Sequence, residues 1–267
     1  MSGGRNLEVV GWQDGDALAA GVARDIVDLV AGVQRDGGVS EDGFARIVLT
    51  GGGAGGAVLR QLAALDHAAR ASADSFPVTA IDWAKVHVFF GDERFVPTGT
   101  TGATARNDDL AHAELLCHVD VPEANVHRVG VPRDDEPVDG SGLDAAAEAY
   151  GEAVAAFAPD GFDLHLLGMG PEGHVNSLFP HTAELSPAAG TSVVAVRECP
   201  KPPSERVSLT REAIATASEV WLLVTGEAKR EAAGEVVSGE DPAQWPAAGV
   251  SGSRRTVLHV DAAADPR

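Results

Sequence analysis

The stretch "ARIVLTGGGAGGAVLRQLAAL", Ala45 to Leu65, decides how this chain folds. An apolar run ends at Thr50, five of the next six residues are glycine, and apolar residues then recur at helical spacing. That order predicts a buried strand, a tight turn and a helix. Gly51, Gly53 and Gly56 satisfy G-x-G-x-x-G, which alone is a weak dinucleotide signal. The dinucleotide reading also needs an acid about 20 residues on, at the end of a second strand. Asp74 has that spacing but sits in the turn-like "ASADSFP". A nucleoside triphosphate loop needs Lys-Ser/Thr after the last glycine, and Ala57-Val58 stand there instead. What remains is either a tight turn with no ligand, or a small-anion site built from backbone N–H groups at a helix N-terminus.

Outward from that stretch, apolar runs alternate with Ala-rich amphipathic segments. The predicted strands are 46–50, 86–90, 163–167, 192–196, 220–225 and 256–260. The predicted helices are 16–34, 57–71, 107–116, 143–157, 211–217 and 228–237. Several strands are apolar on both faces, as buried parallel strands are. The expected fold class is α/β: a three-layer, mostly parallel, Rossmann-like sheet with helices on both faces. The polar segments 131–142 and 234–253 read as surface loops, and residues 1–267 read as a single domain with its site at the carboxyl ends of the strands.

Forty acids against 20 bases give a formal charge of −20 over 267 residues. A broad basic face for nucleic acid is therefore not expected. Screening over about 8 Å still leaves room for a local cationic pocket. Cys117 and Cys199 form no C-x-x-C pair and read as small apolar packing residues of a cytoplasmic protein. No apolar run reaches membrane-spanning length. Metal-ligand spacing is absent, so neither metal nor cofactor is expected.

Three further stretches place chemistry at strand ends. "VHVFFGDERFVP" (86–97) ends a strand at Gly91 and follows it with Asp92, Glu93 and Arg94. These charges either face the ligand crevice or form an internal ion pair. "FDLHLLGMGPEGHVNSLFP" (162–180) runs a strand into a Gly/Pro-shaped loop carrying Glu172 and His174. An imidazole there can take a proton near neutral pH, its free pKa being about 6.5, and Glu172 is near enough to orient it. His87 and His165, mid-strand, read as core histidines, and His127 as a histidine with no chemical neighbour. Ser177 has no G-x-S-x-G elbow and reads as a loop hydrogen-bonder. "ECPKPPSERVSLTREAI" (198–214) stiffens Lys201 and Arg206 with three prolines, an anion grip or a solvated loop. Thr210 reads as a helix N-cap.

Taken together with "RNDDLAHAELL" (106–116) and "EVWLLVTGEAKREA" (219–232), these stretches resemble the glucosamine-6-phosphate isomerase/6-phosphogluconolactonase family, and within it the lactonases, from about Thr50 to Glu231. The resemblance implies the fold of glucosamine-6-phosphate deaminases and ribose-5-phosphate isomerases. It implies hydrolysis of a phosphosugar lactone without a cofactor, with His174 as general base and Glu172 and Asp92 as the accompanying catalytic carboxylates. It assigns substrate contacts to Gly51, Gly52, Gly53, Arg94, Asn107, Lys201 and Arg206. Two departures stand out. The family's first loop usually carries hydroxyls after the glycines, and here it reads Thr50-Gly-Gly-Gly-Ala54. The family's Asp two before the histidine is Glu172. A sugar-phosphate isomerase or deaminase would need another carboxylate soon after His174, and 175–182 holds none. A non-catalytic sugar-phosphate binder is the other alternative.

Overall fold

The computed structural model describes residues 7–72, 79–133 and 140–267. Asp74 and the middle of the 131–142 segment lie outside the described residues. The elements in chain order are β1 (Leu7–Trp12), α1 (Gly15–Asp36), β2 (Ala45–Leu49), α2 (Gly52–Ser72), β3 (Val86–Phe90), β4 (Asp92–Arg94), α3 (Asn107–Glu114), α4 (Ser141–Phe157), β5 (Leu164–Gly168), β6 (Val193–Val196), β7 (Arg206–Leu209), α5 (Arg211–Ala215), β8 (Glu219–Val224), α6 (Arg230–Ser238) and β9 (Arg255–Asp261). Short 3-10 turns fill several connections.

Six strands form one wholly parallel sheet in the order β1-β9-β8-β5-β2-β3. Period-two alternation sorts its side chains between two cores. Ile47 and Leu49 of β2, with Trp221 and Leu223 of β8, pack under α1, α2 and α3. Val48, Val220, Leu222 and Val224 face the other way, against α4, α5 and α6. Helices thus cover both faces. Local chemistry sets the helix ends. Asp14 accepts from the Ala17 N–H at 2.8 Å to open α1, and Gly37, at φ 104°, closes it.

Three expectations need correction. The 192–196 strand is not in the parallel sheet: β6 pairs antiparallel with β7, and β7 with β4, in a separate three-stranded sheet. Helix α2 begins at Gly52, not Ala57, so the glycines are its first turn rather than a loop before it. The 234–253 segment is not a solvated loop. It ends α6, then buries Pro246, Ala247 and Ala248, and lays Trp245 against Gly173.

The second sheet is what carries the chain over the site. At Gly91 the chain leaves β3: its N–H donates to Leu49 O at 3.1 Å, and its carbonyl accepts from Leu209 N at 2.8 Å. A Cβ on Gly91 would lie 2.3 Å from Asn176 Oδ1, so the crossing requires glycine. On the edge of β3, Tyr150 of α4 replaces a neighbouring strand, its hydroxyl accepting from Phe90 N and donating to Phe90 O.

Candidate active site

The loops after β2, β5 and β8 meet strands β4 and β7 around a cleft of about 150 Å³ at the carboxyl ends of the parallel strands. Larger hollows of about 720 and 640 Å³ lie elsewhere, the first at the opposite strand ends beside Asp163 and Glu219. The small cleft is the candidate site because the strand-end residues Asp92, Arg94, His174 and Arg206 line it. Thr50 ties two of its walls together, its hydroxyl accepting from Gly168 N at 2.9 Å.

The floor is the start of α2. Gly51, Gly52 and Gly53 line the cleft. Gly52 sits at φ 76°, a left-handed conformation that glycine adopts without strain. A Cβ on Gly51 would come 2.0 Å from Asn107 Oδ1, whereas Gly52 and Gly53 face open space. No acid lies in the first turn of α2, so its free N–H groups and dipole present positive potential to the cleft.

His174 enters from the loop after β5. Gly170 N–H donates to His174 O at 3.1 Å and Gly173 N–H to Gly170 O at 3.0 Å, which closes the loop tightly. Ala247 N–H braces it from outside, donating to Gly173 O at 2.8 Å. The imidazole stacks on Phe179 at 4.3 Å between centroids. Its Nδ1 lies 3.1 Å from Glu172 Oε1. The hydrogen bond to His174 holds the Glu172 carboxyl down at about pKa 2, reinforced by Lys201 against the opposing effect of burial. Glu172 is therefore an anion that accepts from Nδ1–H, which leaves Nε2 as the basic nitrogen.

Asp92 is buried and held by three groups. Ser177 Oγ donates to its Oδ2 at 2.6 Å, Asn107 Nδ2 reaches Oδ1 at 3.1 Å, and Arg206 Nη1 lies 3.7 Å from Oδ2. Arg206 is largely committed to structure, donating to the carbonyls of Lys201, Pro202 and Pro203 at 3.0, 3.3 and 3.1 Å. Arg94 lines the cleft. One of its terminal nitrogens donates to Ala105 O, and its Nε is buried without a partner among the described residues. Lys201 stands apart from the other basic candidates: its ammonium sits 2.6 Å from Glu172 Oε1, and it is not among the residues lining the cleft.

Glu93 serves a different purpose from its neighbours. Fully buried, it accepts the N–H groups of Arg94, Asn107 and Asp108 at 2.8, 2.8 and 2.9 Å. It thus caps α3, whose own N-cap residue, Arg106, makes no side-chain cap. Burial pushes the Glu93 carboxyl up, against the pull of the buried Arg106 guanidinium. The cap fixes Asn107 between Gly51 and Asp92.

Lys229 was not singled out in the sequence. It follows β8 in "TGEAK" and lines the cleft. Burial, then the nearby Lys201 ammonium, push its pKa down. A lysine just past the end of a central parallel strand was the signal that could have found it.

The other histidines sort by burial. His165 is wholly buried, and burial drives it to about pKa 3. His127, expected to have no neighbour, is buried instead, 2.9 Å from His87 Nδ1 and stacked between Phe89 and Phe157. Cys117, expected to pack, is exposed, while Cys199 is buried. Ser177, expected to bond its own loop, reaches other elements instead: its N–H donates to Ser208 Oγ on β7 at 3.2 Å and its hydroxyl to Asp92 on β4. Thr210 caps α5 by accepting from Ala213 N, as read from sequence. Among the described residues no cluster of His, Cys, Asp and Glu could hold a metal, and no helix is long and apolar enough to cross a membrane.

The profile of the glucosamine-6-phosphate isomerases/6-phosphogluconolactonase family matches residues 13–258. The chain is 44% identical over 258 residues to the 6-phosphogluconolactonase of Mycobacterium tuberculosis, covering 94% of each. It is 37% identical to that of Streptomyces coelicolor, covering 96% of this chain and 93% of the relative. The crystal structure of 6-phosphogluconolactonase from Thermotoga maritima superposes with a TM-score of 0.73 at 27% identity, covering 96% of this chain and 99% of that one. A monomeric glucosamine-6-phosphate deaminase shares the fold alone, with a TM-score of 0.73 at 19% identity over 96% of this chain and 98% of its own. By profile, identity and coverage, the chain belongs to the glucosamine-6-phosphate isomerase/6-phosphogluconolactonase family.

Proposed function

We propose that this protein hydrolyses 6-phospho-D-glucono-1,5-lactone to 6-phospho-D-gluconate, the ester-opening step of the oxidative pentose phosphate pathway. The observation that carries the reading is His174, which lines a cleft floored by the start of α2 while its Nδ1 lies 3.1 Å from Glu172 Oε1. Membership of the family, with lactonases as its relatives at 37–44% identity, supports the substrate.

In this reading Glu172 accepts Nδ1–H and fixes the tautomer, so His174 Nε2 removes a proton from water as the oxygen attacks C1. The C1–ring-oxygen bond then breaks, and the imidazolium returns its proton to the departing oxygen. General base catalysis of this kind contributes about 10²- to 10⁴-fold. The phosphate rests on the α2 N–H groups with Lys229. Arg94, with an unused Nε, is the second cation at the cleft. These groups substitute for the hydroxyls missing from "TGGGAGG". Asp92 and Asn107, with Ser177 and Arg206, form the buried wall that holds the sugar ring in place. No step calls for a cofactor. A phosphosugar lactone is the small-molecule partner, the working unit is one domain, and its compartment is the cytoplasm.

The test is a time course of lactone loss with and without purified protein, read as release of 6-phosphogluconate. Acceleration over spontaneous hydrolysis is expected. Equal rates, or release of ammonia from glucosamine 6-phosphate, would contradict the reading.

A further inference from the structure

Lys201 occupies a place that a phosphate contact does not need. Its ammonium lies 2.6 Å from Glu172 Oε1 and 3.5 Å from His174 Nδ1, and 5.6 Å from the centre of the Phe179 ring on which His174 stacks. Its backbone is fixed from below, because Arg206 donates to the carbonyls of Lys201 and of the two prolines after it. We propose that Lys201 is a positioning residue for the general base: it pins Glu172 Oε1 beneath the imidazole and offsets the carboxylate's tendency to convert His174 to imidazolium.

A carboxylate at hydrogen-bond distance favours a charged imidazole, and a general base must be neutral to work. A fixed ammonium beside the same nitrogen favours the neutral ring, while its shorter contact with Oε1 keeps the carboxylate from turning away. Glu172 remains an anion under both contacts. The other charged groups at the cleft are Asp92 and Arg94 on β4, Arg206 on β7 and Lys229 after β8. Lys201 is a charged group that contacts both members of the pair.

The proposal rests on His174 being the base, so one arm of its test needs no lactone. Ring ¹⁵N signals of His174 are followed against pH in wild type, Lys201→Met and Lys201→Arg. The Met variant is expected to take up its imidazole proton at a higher pH than wild type, and the Arg variant to follow wild type. In turnover, the acid limb of kcat/KM for Lys201→Met should move up by about one pH unit, roughly a tenfold loss at fixed pH on that limb. KM at high pH should stay within about threefold of wild type. An unmoved ring titration would overturn the proposal. So would a tenfold rise in KM with kcat unchanged, which would return Lys201 to the phosphate. Absence of lactonase activity in wild type would instead refute the proposed function while leaving the ring titration readable.

Discussion

Gly170→Ala tests the geometry of the base without touching the base. The residue lies outside the left-handed region, so alanine fits its backbone. The new Cβ, however, would stand 2.1 Å from His174 Nδ1, 2.3 Å from its Cε1 and 2.5 Å from Glu172 Oε2. Ordinary contact is about 3.5 Å, so the ring must retreat by about 1.4 Å. The 3.1 Å contact with Glu172 cannot survive that movement intact. A misplacement of about 1 Å costs on the order of 10²-fold in rate, or about 2.7 kcal/mol of barrier. The clashing atoms are the mobile ends of two side chains, so the global fold should lose little, about 1 kcal/mol. Initial-rate lactone hydrolysis with a thermal melt separates the two effects. The expected outcome is a drop of about 100-fold in kcat with a melting temperature within a few degrees of wild type. Activity within threefold of wild type would refute the claim that the Nδ1–Glu172 geometry matters.

Lys229→Met should raise KM for the lactone by about 10- to 100-fold, the equivalent of one charge-assisted hydrogen bond, with kcat little changed. Unchanged KM would remove Lys229 from the phosphate. Gly52→Ala must hold alanine at φ 76° and should cost about 1–2 kcal/mol in a denaturant titration. Gly53→Ala meets nothing within 4 Å and should be silent in stability. Burial, then the neighbouring His87, lower His127 from 6.5 to about 4. The unfolded chain binds the proton first, so the folded state loses stability as pH falls from 6.5 to 4. The loss is about 3 kcal/mol at most, and His127→Phe should flatten it; an equally steep acid dependence of stability in that variant would count against the burial argument.

The parallel sheet and its helices were legible because apolar burial produced them. Runs such as "RIVL" and "VWLLV" can be little else, and Thr210 marks the start of its helix by known chemistry. Strand β4 was not legible as a strand. It is the tripeptide Asp92-Glu93-Arg94, buried by ion pairs and backbone donors rather than by apolar surface, so no periodicity marks it. Its antiparallel partner β7 was hidden in a segment that read as a proline clamp. Strand β1 was missed because it lies on the sheet edge, with Glu8 and Gly11 breaking its apolar pattern. Strand-end position pointed to Asp92, Arg94 and His174, the proline clamp to Arg206, and the family resemblance to Asn107; all five line the same cleft. Position could not foretell which cations would be free to meet a ligand. That depends on whom each meets first, and Arg206 and Lys201 meet carbonyls and a carboxylate. His127 was misjudged for the same reason, its aromatic surroundings coming from β3 and α4.

In the proposed reaction every step depends on the imidazole of His174. The decisive measurement is the rate of lactone hydrolysis by His174→Ala, corrected for the spontaneous reaction, alongside equilibrium binding of 6-phosphogluconate. Turnover lower by about 10²- to 10⁴-fold is expected, with product affinity within about threefold. Turnover equal to wild type would contradict the role of His174 as base, whatever the cleft binds.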